Sequence, residues 1–319
     1  MTVMRWGVLG AAKFAREHMA PAIHQAKGAT LSALATSTAA KASPFQAFCP
    51  DLTVYTDYNE LLSDPAIDAV YIPLPNHLHI EWAEKALRAG KHVLCEKPIA
   101  LRAQDIDRLI ALRDETGLHV AEAFMIVHHP QWIRVRDMLQ FGAIGQLQHV
   151  DGVFTYDNRK DTTNIRNKPE TGGGSIPDIG VYPYGAIRFA TGQEPSTLNA
   201  DITWANGVDQ TARVTGWFGD FSFSALTSMG MFGRQEMNFH GDGGVIRMTA
   251  PFNAGVFDQA QIELHQPGKS VQIERFPGVN QYVLQVEAFA AAVAGQREFA
   301  CPLEFSQGTQ RMIDDIFAL

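Results

Sequence analysis

A carboxylate, an ammonium and a proline stand together where an apolar run ends, in Glu96-Lys97-Pro98 after Val93-Leu94-Cys95. The apolar run predicts a buried strand, and Pro98 ends it because proline has a fixed φ and no N–H for the sheet. In open parallel sheets, ligands bind in the crevice outside the carboxyl ends of the strands. The sequence therefore predicts that the Lys97 ammonium acts on a bound ligand.

A second candidate pair follows a glycine-rich segment at the start of a predicted helix. Gly172-Gly173-Gly174 leads to Asp178 and Tyr182, which are four residues apart and can share one helix face. A tyrosine, with a pKa of about 10, is a poor base near neutral pH unless a neighbouring cation favours the phenolate. Lys97 is a candidate for that cation. The competing interpretations are a helix cap, a buried tyrosine and a surface lysine.

The elements that must position Lys97 alternate between strand and helix. Strands are predicted at residues 5–10, 30–37, 54–55, 69–73, 91–94 and 119–124. This alternation is typical of a doubly wound parallel sheet. After residue 125, seven segments with period-two alternation predict one large, mostly antiparallel open sheet. We therefore predict an α/β protein with a first, Rossmann domain over residues 1–124 and a second, α+β domain over residues 125–319.

The turn after the first predicted strand is a weak match to the dinucleotide-binding glycine fingerprint. Gly10, Ala12 and Ala15 occupy its three positions, so alanine replaces two of the three glycines. An ordinary strand–helix turn with small residues explains this segment equally well. The second strand ends in Ser37 and Thr38, with Lys41 beyond them, where an NAD site usually has an acidic residue. These residues favour the 2′-phosphate of NADP, and a solvated loop is the alternative.

The corner after the predicted strand 69–73 is rigid because Pro73, Pro75 and Asn76 restrict its backbone. Backbone amides at such a corner can face a ligand. His77 and His79 are two residues apart and do not share a helix face, so we expect no metal site.

Composition restricts the remaining possibilities. The 319 residues exceed what one core usually supports, so two domains are expected. The formal net charge is −8 and no basic run occurs, which argues against a nucleic-acid partner. No apolar window approaches 18 residues and no signal peptide is evident, so we expect no membrane span. The three cysteines are far apart and favour a reducing, cytoplasmic location.

Taken in order, these motifs resemble the glucose-fructose oxidoreductase / inositol dehydrogenase / MocA (Gfo/Idh/MocA) family. The resemblance rests on the turn at Gly10, Pro73-Leu74-Pro75-Asn76 with His79, Glu96-Lys97-Pro98, and the glycine-rich segment with Asp178-Ile179-Gly180-Val181-Tyr182. Many members carry histidine where Tyr182 stands. The tyrosine version is similar to dimeric dihydrodiol dehydrogenases, NADP-dependent aldose (xylose) 1-dehydrogenases and glucose-fructose oxidoreductase. Ile126 and Val127 depart from this branch, where an aromatic residue and an arginine are common.

The resemblance implies an NADP-dependent oxidoreductase, with NAD as the alternative cofactor, that acts on a hydroxyl or carbonyl carbon of a sugar or cyclic diol. It implies Lys97, Asp178 and Tyr182 as catalytic residues, and it leaves open whether Lys97 or Tyr182 transfers the proton. Those three residues and Arg166 are expected to contact substrate. The implied cofactor-binding residues are Gly10, Ala12, Lys13, Phe14, Ser37, Thr38, Lys41, Ile72, Pro73, Leu74, Asn76, His79, Glu96 and Lys97.

Two other functions are compatible with the same fold: a non-catalytic member that senses cofactor or binds a protein, and an NAD-dependent glycosidase. The presence of both Lys97 and Tyr182 favours the oxidoreductase. A large sheet with one apolar face must be covered, which predicts a homodimer or higher homo-oligomer through the carboxyl-terminal sheet. Arg159 and Asn164 are neighbours of the glycine-rich segment that could also reach a polyhydroxylated substrate.

Overall fold

A computed structural model describes residues 3–319, which form two compact units. The first unit contains the chain up to residue 125 together with residues 280–307, and the second contains residues 126–279 and 308–319. The predicted division into 1–124 and 125–319 does not include this return of residues 280–307 to the first unit. Apolar packing explains why residues 280–307 return to the first unit, because the buried rings of Trp6 and Phe289 lie 5.0 Å apart.

The first unit is built on six parallel strands. They are β1 (Met4–Leu9), β2 (Ala29–Ala35), β3 (Thr53–Tyr55), β4 (Ala69–Ile72), β5 (His92–Cys95) and β6 (Val120–Glu122). Their order in the sheet is β3-β2-β1-β4-β5-β6, so the direction of winding reverses between β1 and β4. This is the predicted doubly wound Rossmann sheet, and ligands bind such sheets beside the reversal.

Nine α-helices are assigned within residues 3–319. They are α1 (Ala20–Gln25), α2 (Ser43–Gln46), α3 (Tyr58–Ser63), α4 (His79–Arg88), α5 (Ala103–Thr116), α6 (Pro130–Gln140), α7 (Val181–Thr191), α8 (Gln281–Val293) and α9 (Leu303–Phe317). In the first unit, β4 is buried at every position because helices cover both faces of a parallel sheet. Ile72, Val93 and Ile106 belong to the resulting core. This core fixes the loops that leave the carboxyl ends of the strands.

The second unit is built on one sheet of eight strands. They are β7 (Leu147–Asp157), β8 (Thr197–Ala205), β9 (Val208–Phe218), β10 (Phe221–Ser228), β11 (Gly230–Gly241), β12 (Val245–Met248), β13 (Gln261–His265) and β14 (Gln272–Arg275). Their order is β14-β13-β12-β11-β7-β10-β9-β8, and only the pair of β7 and β10 is parallel among these strands. The predicted large, mostly antiparallel sheet is therefore confirmed, and β14 is an additional edge strand.

The described part of the chain contains no helix that is both long and apolar enough to cross a membrane. All three cysteines lie in that part, are buried and are not joined in a disulfide.

Candidate active site

The Lys97 loop follows β5 and is held by two buried or half-buried hydrogen bonds in the first unit. The Tyr71 hydroxyl donates to the Glu96 carboxylate at 2.5 Å, and the Ile99 N–H donates to the Glu122 carboxylate at 2.9 Å. Burial and the Glu96 charge raise the pKa of Tyr71 well above its ordinary value, so its hydroxyl remains a donor. Lys97 itself is half-buried. The loop therefore presents an ammonium on a backbone fixed from both sides.

His79 ties the Lys97 loop to the loop that follows β4. Its ring is fully buried, with Nδ1 2.8 Å from the Pro98 carbonyl oxygen and Nε2 2.7 Å from the Leu74 carbonyl oxygen. Burial lowers the pKa of His79, and a neutral ring can donate to one of these two acceptors. The structure thus places the predicted cofactor-binding side chain on protein carbonyls, where it supports two loops.

The predicted cofactor residues of the first unit lie at one edge of its sheet. Gly10, at the end of β1, has φ +104°, and a Cβ there would meet the Leu74 side chain at 3.0 Å. The residue must be glycine because an L side chain rarely adopts this conformation. The bare backbone fits the close approach that a dinucleotide pyrophosphate requires. Ile72 is the last residue of β4, and Pro73 and Leu74 follow it; β4 is the neighbour of β1 at the reversal.

The residues predicted to bind the 2′-phosphate lie beyond β2. Ser37, Thr38 and Lys41 are exposed, and the Lys41 ammonium donates to the Ser37 hydroxyl at 3.2 Å. The structure thus brings together a hydroxyl and an ammonium, which are the donors that a phosphate accepts from. Lys13 and Phe14 begin the helical segment after β1, where the Phe14 ring packs 5.6 Å from the Tyr282 ring.

In the second unit, Asp178 is the centre of a charged cluster. The Arg166 Nε lies 2.8 Å from Asp178 Oδ1, and the Tyr156 hydroxyl donates to Asp178 Oδ2 at 2.6 Å. Burial, followed by the Asp178 charge, raises the pKa of Tyr156, which therefore stays neutral. The Asp178 side chain is 10% exposed, so both of its oxygens are engaged away from bulk water. Asp178 is accordingly an acceptor that fixes a cation and a phenol.

Tyr182 lies near the same guanidinium and against an aromatic wall. The charge of Asp178 is the main cause of the raised pKa of Arg166, and the Tyr182 phenol contributes in the same direction. The Tyr182 ring packs 5.5 Å from the Phe154 ring and 5.7 Å from the Phe252 ring. Tyr182 is buried, and a cation close to its phenol favours the phenolate. Sequence reasoning assigned this effect to Lys97, which stays a prediction, and within the second unit the charge of Arg166 acts in the same direction.

A π-helical turn, Ile176–Gly180, carries Asp178 directly into α7, which carries Tyr182. The Val181 N–H donates to the Ile176 carbonyl, five residues back. Such turns are rare and occur often at functional sites. Gly174 precedes this turn with φ +126°, and its N–H donates to the Arg166 carbonyl at 2.9 Å. The glycine-rich segment therefore joins the Arg166 backbone to the start of the helix.

The other predicted substrate residues do not join this cluster. Arg159 pairs with the exposed Asp157 at 2.7 Å, and the Asn164 side chain accepts from the Arg166 N–H as a cap. Sequence reasoning missed Tyr156 and Phe252, which β7 and the loop after β12 bring to Asp178 and Tyr182 respectively. No local signal marks them, because each is one apolar or aromatic residue among many in the alternating part of the chain.

Comparisons with known proteins identify both units. Residues 4–124 match the oxidoreductase family with an NAD-binding Rossmann fold, and residues 132–247 match the GFO/IDH/MocA C-terminal domain. The uncharacterized oxidoreductase ORF334 of Rhizobium meliloti is 36% identical over 99% of this chain and 96% of its own length. D-xylose 1-dehydrogenase (NADP(+)) 2 of Haloferax volcanii is 30% identical over 98% of this chain and 96% of its own length.

Among solved structures, KijD10, a 3-ketoreductase from Actinomadura kijaniata in complex with NADP and TDP-benzene, has a TM-score of 0.89. It is 29% identical, and the match covers 99% of this chain and 97% of that one. These matches confirm the predicted oxidoreductase activity and the NADP cofactor. Because the two family models together span most of its length, the chain belongs to the Gfo/Idh/MocA family of oxidoreductases.

Proposed function

We propose that the protein oxidises or reduces one carbon of a sugar or cyclic diol, with Tyr182 transferring the proton and Lys97 orienting the reacting oxygen. The bound nicotinamide supplies or accepts the hydride. The observation that carries this proposal is the cluster of Asp178, Arg166 and Tyr156, which places a cation near the Tyr182 phenol. A phenol favoured as phenolate can accept the hydroxyl proton as hydride leaves the same carbon.

Two substrate classes are supported. The similarity to a D-xylose 1-dehydrogenase over nearly the full chain favours oxidation of an aldose. The similarity to a 3-ketoreductase solved with NADP and TDP-benzene favours reduction of a keto group on a nucleotide-linked sugar. In either direction, Tyr182 transfers the proton. Arg166 and Lys97 stabilise the charge that develops on oxygen.

The test is NADP reduction with a panel of aldoses and cyclic diols, and NADPH oxidation with keto-sugars. Lys97→Met and Tyr182→Phe should each lower kcat by about 100-fold or more, because each removes a group that acts on the reacting oxygen. Lys85→Met and Tyr55→Phe are the matched controls, since Lys85 pairs with Glu81 on the surface and Tyr55 bonds to Asp64.

The outcomes separate the three function classes. Normal turnover by both active-site variants would show that the assignment of Lys97 and Tyr182 is wrong. Release of free sugar without net NADPH formation would indicate the glycosidase. Tight NADP binding without turnover of any substrate in the panel would indicate a non-catalytic member.

For NADP selectivity, we propose that Ser37 and Lys41 bind the 2′-phosphate. Their 3.2 Å contact supports this assignment. Lys41→Ala should raise the KM for NADP roughly tenfold, which is the effect of losing one charged hydrogen bond. The KM for NAD should not change, and a wild-type preference for NADH in fluorescence titrations would contradict the proposal.

We also propose that the outer face of the eight-stranded sheet associates with a second copy of the chain. The exposed rings of Trp217 on β9 and Phe232 on β11 support this, with 51% and 94% of their surfaces accessible. Exposed aromatic residues are enriched at protein interfaces. Light scattering after size exclusion should give twice the monomer mass, and Trp217→Asp should reduce it. A monomeric wild-type protein at micromolar concentration would contradict the proposal.

A further inference from the structure

A bulge in β9 turns an acidic residue toward the helix that carries the candidate catalytic groups. Thr203 of β8 pairs with Thr211, but the next residue, Trp204, pairs with Asp209, so Gln210 is an extra residue on β9. An extra residue exchanges the two faces of a strand at that point and re-aims the side chains beyond it. Asp209 is consequently 1% exposed, on the buried side of the sheet.

Hydrogen-bond donors surround the Asp209 carboxylate. Its Oδ2 accepts from the Ile176 N–H at 2.6 Å and from the Ser175 hydroxyl at 2.8 Å. The Ser175 N–H and the N–H of Asp209 itself also face the carboxylate. The Ser175 hydroxyl is further bonded to Thr227 on β10 at 3.2 Å. Every one of these backbone groups is a donor, so the position suits an anion and not an amide.

These contacts reach the start of the π-helical turn, two residues before Asp178. We propose that Asp209, as a carboxylate, is a positioning residue that sets where Asp178 and Tyr182 stand. The inference rests on the proposed function for the roles of those two residues. Asp209 touches neither of them in the contacts described above, and it acts through Ser175 and Ile176.

Gly174, which precedes this turn, packs directly against the same carboxylate. A Cβ on Gly174 would lie 1.9 Å from Asp209 Oδ1, which is closer than any two non-bonded atoms can approach. The carboxylate thus occupies the space that a side chain at residue 174 would need. The bulge, the donor cluster and the bare glycine are three independent features that converge on one carboxylate.

Burial makes the ionised form of Asp209 energetically unfavourable at this position. Burial raises its pKa to about 6, and its hydrogen bonds oppose that rise only in part. The other titratable group that contributes to its surroundings is Tyr184 on α7, whose own pKa is raised by burial and then by Asp209, so it stays neutral. A charge retained at such a cost is common where function and not stability requires it.

The experiment compares Asp209→Asn with Asp201→Asn, an exposed carboxylate on β8 that pairs with Arg213. Asp209→Asn should lower kcat by about 10- to 100-fold, the effect of a small misplacement of catalytic groups. The KM for NADP should stay within about twofold, because the cofactor residues belong to the first unit.

The wild-type kcat should decline as pH falls through about 6, and this decline should be absent in Asp209→Asn. Asp201→Asn should match the wild type throughout.

A second measurement does not depend on activity. Hydrogen–deuterium exchange of the peptide containing residues 174–182 should be faster in Asp209→Asn than in Asp201→Asn, because the Ile176 N–H loses its charged acceptor. Faster exchange together with an unchanged melting temperature supports positioning over a general loss of stability. If kcat, its pH profile and the exchange rate all match the wild type, Asp209 has no positioning role. If the wild type turns over no substrate, the proposed function fails and the exchange rate still decides where Asp209 acts.

Discussion

At the scale of single residues, the guanidinium of Arg166 has the most consequential position in the second unit. It neutralises the buried Asp178 at 2.8 Å and influences the Tyr182 phenol. Arginine suits this place because its planar fork can hold a carboxylate while its charge extends to a second group. The sequence indicated Arg166 only as a substrate contact, and the structure adds an electrostatic role.

We predict that Arg166→Met lowers kcat by about 100-fold and shifts to higher pH the part of the kcat profile that reports ionisation of Tyr182, which is separate from the decline near pH 6 assigned to Asp209. Loss of the cation disfavours the Tyr182 phenolate and removes the ion pair between Arg166 and Asp178. Arg166→Lys should recover part of the rate, because it restores the charge without the planar geometry. The measurement is kcat across the pH range with the best substrate of the panel.

Arg159→Met is the control for that series. Arg159 lies seven residues earlier in the same loop region, but it pairs with the exposed Asp157. Its loss should leave kcat and its pH profile unchanged. Equal effects of the Arg159 and Arg166 variants would show that only the overall charge of the loop matters.

At the scale of elements, the glycine-rich segment and the π-helical turn act as one unit. Three contacts fix the segment: the Gly174 N–H to the Arg166 carbonyl, and the Ser175 hydroxyl and Ile176 N–H to Asp209. A Cβ on Gly173 would lie 2.4 Å from the Arg166 carbonyl oxygen. Glycine is therefore needed for close backbone approach at residue 173, and for both space and backbone conformation at residue 174.

We predict that Gly174→Ala reduces both stability and kcat, whereas Gly192→Ala reduces stability alone. Gly192 ends α7 with φ +68° and has open space around it, so alanine there should cost about 1 kcal/mol of backbone strain. Gly174→Ala adds a collision with Asp209 and should cost about 3 kcal/mol or more. Urea denaturation and kcat measure the two effects, and equal losses of kcat would contradict this prediction.

At the scale of the whole molecule, stability should depend on pH through Asp209. Its folded-state pKa of about 6 exceeds its ordinary value of 3.8, so the folded protein binds this proton more tightly than the unfolded chain. The unfolding free energy contributed by Asp209 therefore rises as pH falls through 6 toward 4. Between pH 7.5 and pH 5 this contribution amounts to about 1 kcal/mol.

We predict that acidification from pH 7.5 to pH 5 stabilises the wild type relative to Asp209→Asn by that amount. Urea denaturation of both proteins at both pH values measures it as a double difference. His119 and His129, whose pKa values burial lowers to about 4, destabilise both proteins equally on acidification and cancel. Parallel stability curves for the two proteins would contradict the prediction.

Local pattern was sufficient for most of the fold. Alternation of strand and helix up to residue 124 predicted the six-stranded sheet, and period-two segments predicted seven of the eight strands in the second sheet. The eighth, β14, is short and its residues are mostly exposed, so no apolar alternation marks it. Helix α8 belongs to the first unit because its place depends on which core its apolar face covers, and no local pattern decides that.

The sequence by itself determined the chemistry that the chain presents: an ammonium at the end of β5, a carboxylate and a phenol four residues apart at a helix start, and glycines where the backbone must be bare. Only the tertiary structure decided which groups surround them. Tyr156 and Asp209 reach the helix from strands distant in sequence, and a one-residue bulge selects the face that Asp209 occupies. Such partners depend on strand register, which is a property of the assembled sheet and not of any local segment.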